Sequence, residues 1–268
     1  MRKLIIGLLC LAALAVVIDF GTAAYSEYRV SRALRVGADL TADPDVVIYG
    51  FPFFTQALDG RYQTVDIRAR IMRRDIPGEI SVGATLTGAH LSMGELTDGN
   101  VRAIPVDRVE GQMRLEPTEL GRLFRIPDLQ VHSAPGDKSD GTGGSGGSGM
   151  TTGGQLLLTG TMPGKTPSKP GAPLGGDNVS VTADLTVDGD QVKIIATSIY
   201  RGTGDATTTA VVTDADRPKV LEQFTRTIDT NELPFGLRPT KVSAQGGQIV
   251  IEGKAENVTI DLDRLRRP

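Results

Sequence analysis

The chain has 268 residues, a length that allows one large β-rich domain or two small ones. Its formal net charge is −3 and its sequence pI is about 5.5, which excludes the strongly basic surface field of a nucleic-acid-binding protein. A single cysteine excludes an intrachain disulfide framework, so stability must come from the apolar core.

The first segment of the chain is apolar and follows two basic residues. Arg2 and Lys3 precede an uncharged run from Leu4 to Ile18, and Asp19 interrupts a weaker apolar continuation. A basic start before a run of this length is typical of a secretory signal. The run also approaches the ~20 residues that a membrane-spanning helix requires. Residues 1–24 are therefore predicted to be a signal peptide or a transmembrane anchor.

The stretch from Val46 to Ile71 changes its hydrophobic period partway along. A short strand is followed by a helical turn in which Phe54 and Leu58 share one face, and Gly60 ends this turn. From Tyr62 onward the period is two, which predicts a long strand with one buried face. The apolar positions of that strand are Val65, Ile67, Ala69 and Ile71.

Further alternating segments follow. The segment from Ile80 to Met93 changes the parity of its apolar positions at Thr87-Gly88, which predicts a β-bulge. More strands are expected at Val101–Val106, Val109–Leu115, Val179–Val187, Val192–Ala196, Ala206–Val212, Val242–Ala244, Ile249–Ile251 and Val258–Leu262. The Asp188-Gly189-Asp190 sequence between two of them predicts a hairpin.

Two short helices carry apolar faces. Pro117 opens the first, which presents Leu120, Leu123 and Phe124. Asp214 or Asp216 caps the second, in which one apolar face is expected to contain Val220, Leu221, Phe224 and Ile228. The patterns together predict an α+β fold.

The segment from Ser133 to Asp177 differs in composition. It is rich in glycine and serine in its first part and in proline, glycine and lysine in its last part, with an apolar island at Gln155–Met162. We interpret the island as a strand between two flexible arms.

Residues suited to catalysis or metal binding are sparse in the sequence. His90 and His132 are the only histidines, and neither has another ligand at metal spacing. The sequence lacks a G-x-S-x-G elbow, and the glycine run at 143–149 lacks the Lys-Ser/Thr of a phosphate loop. We therefore expect no catalytic residue, no metal and no cofactor, although a carboxylate pair for glycoside chemistry remains an alternative.

Two stretches resemble the opening and closing signatures of the LmeA-like phospholipid-binding proteins of actinobacterial cell envelopes. The opening one is G-F-P-F-F-T-Q-A-L-D-G-R-Y at 50–62, followed by V-D-I-R-A-R-I. The closing one is L-P-F-G-L-R-P-T-K-V-S-A-Q-G-G-Q-I-V-I-E-G-K-A-E-N-V-T-I at 233–260. The resemblance implies a long curved antiparallel β-sheet wrapped around short helices, the tubular lipid-binding (TULIP/BPI-like) architecture, with an N-terminal hydrophobic helix.

The resemblance also implies a function. The expected protein is an extracytoplasmic phospholipid-binding protein, not an enzyme, that carries or presents lipid in lipoglycan or mannan assembly. Its expected partners are a phospholipid, anionic by preference, the outer face of the plasma membrane and an envelope glycosyltransferase, with no nucleic acid. Two alternatives are an enzyme acting on lipid-linked sugars and a non-binding accessory subunit of an envelope glycosyltransferase.

These patterns divide the chain into three segments. Residues 1–24 are the signal peptide or anchor, residues 25–45 continue as a juxtamembrane helix or linker, and residues 46–268 form the lipid-binding domain. The domain contains a flexible insertion at about 133–177. Because the basic residues at the start stay on the cytoplasmic side, the remainder is expected in the cell envelope or periplasmic space, membrane-anchored or secreted.

Two sets of residues are expected to contact lipid. The apolar set, whose alternative is plain core packing, is expected to face the interior and consists of Phe51, Phe53, Phe54, Leu58, Leu120, Phe124, Leu221, Phe224, Ile228 and Phe235. The basic set, whose alternative is a solvated surface, consists of Arg68, Arg70, Arg73 and Arg74. Each basic residue near anionic head groups contributes about 1 kcal/mol of attraction.

Overall fold

The computed structural model describes residues 2–38, 40–72, 78–92, 94–95, 103–133, 150–152, 154–162, 164–165, 177–202, 208–230 and 233–261. The helices with described bounds are α1 (Arg2–Gly37), α2 (Phe53–Asp59), α3 (Pro117–Phe124) and α4 (Arg217–Gln223). The strands are β1 (Asp45–Tyr49), β2 (Arg61–Met72), β3 (Glu79–His90), β4 (Ala103–Leu115), β5 (Gln130–Ser133), β6 (Met150–Thr152), β7 (Gln155–Thr161), β8 (Asn178–Asp188), β9 (Gln191–Ile199), β10 (Arg226–Asp229), β11 (Pro239–Gln245) and β12 (Gln248–Asp261). The fold is therefore α+β, as predicted.

The chain divides into two compact units. The first comprises residues 1–71, 82–111 and 254–268, and the second comprises residues 72–81 and 112–253. Strands β3, β4 and β12 contribute residues to both units, as does β2 with its last residue, Met72. Every strand pairing whose register is described is antiparallel.

The first unit places its strands in the order β1-β2-β3-β4-β12. Strand β1 is the edge, with Val46 opposite Ile67 and Ile48 opposite Val65. These four side chains are buried, whereas Arg68 on the same strand as Ile67 is exposed. The predicted alternation of β2 is confirmed.

The change of parity predicted in β3 is confirmed, and its position at Gly88 fits a β-bulge. Buried side chains lie at Ile80, Ala84 and Leu86 before the slip, and at Ala89 after it. Gly88, between these sets, has a φ of 63°. A β-carbon there would clash with the Asp107 carboxylate, so the positive φ favours glycine and any other residue would also require the Asp107 side chain to move.

The strand expected near Val101–Val106 and Val109–Leu115 is β4, although residues 101–102 lie outside the described residues. The last two predicted strands, at Ile249–Ile251 and Val258–Leu262, form one strand, β12, in which Asn257 has a φ of 52°. A change of parity or a local irregularity bends a strand without ending it, and the sequence pattern alone showed only the interruption.

The second unit contains the five-stranded order β10-β9-β8-β7-β5. Strand β12 continues there beside β11, and β6 pairs with the other edge of β11. Strands β8 and β9 form the predicted hairpin, with Asp188 opposite Gln191 and Gly189 at a φ of 59°. The predicted apolar island is β7, which pairs with β5 and β8. Its residues 156–161 are buried, so this part of the predicted insertion belongs to the core.

The structure corrects the interpretation of the insertion and of His132. Met150–Thr152, expected within a flexible arm, is strand β6 and pairs with β11. His132, expected at the start of the flexible region, lies in β5. Residues 134–149, 153, 163 and 166–176, on which the expectation of flexible arms rests, lie outside the described residues.

Two predictions in the second half of the chain are wrong. The strand expected at Ala206–Val212 does not form over residues 208–212, and residues 206 and 207 lie outside the described residues. In this segment the Thr208 hydroxyl accepts a hydrogen bond from the Ser180 N–H (2.9 Å). This side-chain bond takes the place of a backbone hydrogen bond between strands.

Helix α4 is shorter than predicted, because it ends at Gln223 and Ile228 lies in β10 opposite Val192. The Thr225 hydroxyl donates to the Leu221 carbonyl (2.9 Å) and accepts from the Ala196 N–H (3.1 Å). The Thr225 hydroxyl thus ties the end of α4 to β9. The β-branched residues that follow Thr225 favour a strand, and the chain continues as β10.

Candidate lipid-contact site

Helix α1 has two parts with different surroundings. From Leu4 to Ile18 every side chain is exposed, although the run is apolar. From Asp19 onward one face of the same helix is buried, at Asp19, Ser26, Ser31, Leu34 and Gly37. Among the described helices, α1 is the one long and apolar enough to cross a membrane by length and composition. This finding is compatible with a signal peptide or an anchor.

The carboxylate of Asp19, a residue of α1, caps the N-terminal end of helix α2. Its Oδ2 accepts a hydrogen bond from the Phe53 N–H (2.9 Å), and its Oδ1 accepts one from the Phe54 N–H (2.8 Å). The first backbone N–H groups of a helix lack partners within the helix, and a carboxylate satisfies both of them and complements the helix dipole. Asp19, which interrupts the apolar run in sequence, therefore fixes α2 against α1.

The second half of α1 covers the open edge of β1. The Glu27 Oε1 accepts a hydrogen bond from the Ile48 N–H (2.8 Å), a group that an edge strand would otherwise leave unpaired. The Ser31 hydroxyl donates to the Pro44 carbonyl (2.6 Å). Leu34 is buried in the same contact region. Residues 19–37, predicted as the end of a leader and a linker, are integrated into the first unit.

The inner face of α2 packs on the sheet. Phe53 is 2% exposed, and its ring lies 6.0 Å from that of Tyr62. The Gln56 side chain donates to the Tyr49 carbonyl (3.3 Å) and accepts from the Gln63 N–H (2.9 Å), so it links α2 to two strands. Burial raises the pKa of the Tyr62 hydroxyl, which has no hydrogen-bond partner among the described residues.

The outer face of α2 is apolar and exposed. Phe51, Phe54 and Leu58 are 64%, 48% and 65% exposed, and Phe20 of α1, also exposed, stacks on Phe51 with ring centroids 6.1 Å apart. We call these four residues the apolar patch. The expectation that Phe51, Phe54 and Leu58 face the interior is wrong, because Asp19 and Phe53 fix the other face of α2 inward. Their contact with lipid stays a prediction.

The remaining apolar candidates lie in the second unit. Leu120, Phe124, Phe224 and Ile228 are buried, whereas Leu221 and Phe235 are half-buried. These four buried residues are core side chains. Contact between any of them and lipid stays a prediction.

Arg226 joins two of the elements that carry these residues. Its guanidinium donates to the carbonyls of Leu123 (3.2 Å) and Phe124 (3.3 Å) at the end of α3, and lies 5.5 Å from the centre of the Phe124 ring. Desolvation is the main cause that lowers the pKa of this guanidinium. A cation at the end of a helix satisfies its last carbonyls and complements its dipole.

The basic set is described only in part. Arg68 and Arg70 are exposed on the polar face of β2, and the Arg68 guanidinium lies 3.7 Å from the Asp66 carboxylate. This contact partly neutralises Arg68. Arg73 and Arg74 lie outside the described residues. Attraction of head groups by this set stays a prediction.

In the described part of the chain, no three His, Cys, Asp or Glu side chains come together in a group that could hold a metal ion. Several of the described carboxylates serve structural contacts. Asp128, for example, is buried and accepts from the Thr161 N–H (3.1 Å).

A comparison with protein-family models supports this description. The model of LmeA-like phospholipid-binding proteins matches residues 17–254, which is most of the chain. The chain belongs to this family. The family is described by phospholipid binding and not by catalysis, which fits a protein without enzymatic activity. Searches of curated proteins and of solved structures gave no match.

Sequence reasoning found three members of the apolar patch but missed Asp19 and Phe20. A signal was present, because one charge interrupts an otherwise apolar run, and Ser26 and Leu34 follow Asp19 at intervals close to whole helical turns. This periodicity marks a helix face that packs against protein. The partner of that face was not readable from α1 alone.

Proposed function

We propose that the protein is an extracytoplasmic phospholipid-binding protein that carries or presents lipid during lipoglycan assembly in the cell envelope. The observation that carries the proposal is the phospholipid-binding family match, together with an apolar patch directly beside an apolar helix. We further propose a tubular lipid-binding architecture. The long antiparallel strands and the small number of helices support this proposal.

The energetics of lipid transfer favour this function over catalysis. Each acyl CH₂ gains roughly 0.8 kcal/mol on leaving water, and a lipid in a bilayer already has this gain. A protein with apolar contacts at the bilayer therefore takes up a lipid at almost no net cost in free energy. No bond is made or broken, so the function requires position and apolar surface but no catalytic residue.

The apolar candidates have separate roles in this proposal. Phe51, Phe54 and Leu58 contact acyl chains at the bilayer, whereas the side chains of α3, α4 and β10 in the second unit line the bound lipid. Arg68 and Arg70, both exposed on β2, attract an anionic head group, with the attraction of Arg68 weakened by Asp66. An envelope glycosyltransferase receives the presented lipid.

The test combines bound-lipid detection with transfer. The full chain is purified in mild detergent and examined by native mass spectrometry, where we expect one or more phospholipid molecules per chain. A fluorescent phospholipid in donor vesicles should then move to acceptor vesicles faster when the protein is present. Absence of both bound lipid and transfer would refute the proposal.

Two other outcomes distinguish the alternatives. Turnover of a lipid-linked sugar by the purified protein would assign an enzyme. A stable complex with a glycosyltransferase and no lipid would assign an accessory subunit. Deletion of the gene should lower the lipoglycan content of the host envelope if the proposed pathway is right.

A further inference from the structure

We infer that the apolar patch inserts into the bilayer leaflet on the side of the folded domain, with α1 retained as the membrane-spanning anchor. The partner is a lipid surface and not another protein. The inference concerns how the protein sits on the membrane, and it holds whether or not the protein carries lipid.

The length of the apolar run is the first argument. The 15 residues from Leu4 to Ile18 extend about 22 Å at the helical rise, less than the ~30 Å of the hydrocarbon core. Continuing to Ala24 gives 21 residues and about 31 Å, which matches that thickness. The end of the span on the side of the domain therefore includes Asp19.

A charged side chain within a span is costly unless it has partners. Asp19 has them, because both of its oxygens accept backbone N–H groups of α2 and its residue is 7% exposed. The helix that provides these groups is thereby held at the depth of Asp19. The five residues from Phe20 to Ala24 then place it about 8 Å below the end of the span, within the 5–10 Å that interfacial helices reach.

The sequence of side chains along α1 is the second argument. Beyond the apolar run come the exposed aromatic residues Tyr25 and Tyr28, and then Arg32 and Arg35. The Arg32 guanidinium donates to the Tyr28 hydroxyl (2.8 Å) and lies 5.7 Å from the centre of its ring. Apolar, then aromatic, then basic is the order in which a spanning helix passes from hydrocarbon through the head groups.

The apolar patch fits the same level. Phe20 precedes Tyr25 and Tyr28 on α1 and stacks on Phe51. The exposed face of α2 therefore continues the apolar surface of α1. In water, the exposed side chains of Phe54 and Leu58 lose the hydrophobic stabilisation that burial would give them. Contact with acyl chains recovers it.

The absence of tryptophan from the sequence makes depth measurable. The full chain carrying Phe54→Trp as its single tryptophan is reconstituted into phosphatidylcholine vesicles that contain lipids brominated at defined acyl positions. We expect blue-shifted emission and a loss of about half of the fluorescence with bromines about halfway along the acyl chain, and less with bromines near its carbonyl end or its methyl end. Phe51→Trp provides a second site in case one variant does not fold.

The matched control is Val36→Trp. Val36 lies on α1 and is 66% exposed. It is 12 residues beyond Ala24 and therefore about 18 Å further along the axis of α1. Its tryptophan should stay in water and unquenched. If the tryptophans at 51 and 54 are quenched no more than the one at 36, the insertion of the patch is refuted.

Intact mass spectrometry of the protein from host membranes tests the retained anchor. We expect a mass that includes residues 2–24. A product that begins after Ala24 would lack Asp19 and Phe20 and would overturn the inference. Quenching without bound phospholipid would leave the inference standing while refuting lipid carriage, so the two proposals fail separately.

Discussion

The hydrogen bonds from α2 to Asp19 predict a specific weakness of the first unit. Asp19→Ala removes both acceptors and leaves the N–H groups of Phe53 and Phe54 without their carboxylate. Hydrogen bonds to charged groups contribute about 1.5–3 kcal/mol each, and the Phe54 group is only partly buried, so the second bond contributes less than the first. We expect α2 to lose about 2–3 kcal/mol of local stability.

Hydrogen–deuterium exchange of the full chain in detergent micelles measures this loss. A change of about 2.7 kcal/mol corresponds to a hundredfold drop in protection, since 1.36 kcal/mol is tenfold. The drop should be confined to peptides that contain Phe53 and Phe54. Asp19→Asn should show an intermediate loss, because its amide nitrogen replaces one acceptor with a donor that faces an N–H group.

Thr55→Ala is the matched control within the same helix. The Thr55 hydroxyl donates to the Pro52 carbonyl (2.9 Å) but is exposed, so its removal should change protection little. Unchanged protection at residues 53 and 54 in Asp19→Ala would refute the view that the Asp19 carboxylate holds α2. A loss spread over the whole first unit would show that Asp19 supports more than this helix.

Three further predictions use thermal or chemical unfolding. Phe53→Ala should destabilise the protein by about 3–5 kcal/mol because this ring is buried, whereas Phe54→Ala should stay within about 0.5 kcal/mol; equal losses would contradict the orientation of α2. Phe224→Ala should also cost about 3–5 kcal/mol if the site is close-packed, and a smaller loss with fewer bound phospholipids by mass spectrometry would instead indicate a lipid-lined site. Gly88→Ala should destabilise more than Gly189→Ala, since both have positive φ but only the first places a β-carbon against another residue; similar losses would show that Asp107 moves freely.

Several features of the fold were predictable from the sequence because their signals are local. A strand has two faces, so the alternation from Val65 to Ile71 predicted which β2 side chains are buried. A parity change next to Gly88 predicted a bulge for the same reason. Gly189 between two alternating runs predicted the β8–β9 hairpin, since a two-residue turn requires a positive φ.

The tertiary structure decided which way the apolar face of α2 points. Spacing showed that Phe54 and Leu58 share a face, but a seven-residue helix with aromatic residues on both sides fits a sheet in either orientation. The choice depends on Asp19, 34 positions before Phe53, whose carboxylate binds the first N–H groups of α2. Contacts between residues this distant in sequence have no periodic signal, because they depend on how separate elements pack and not on the period of either one.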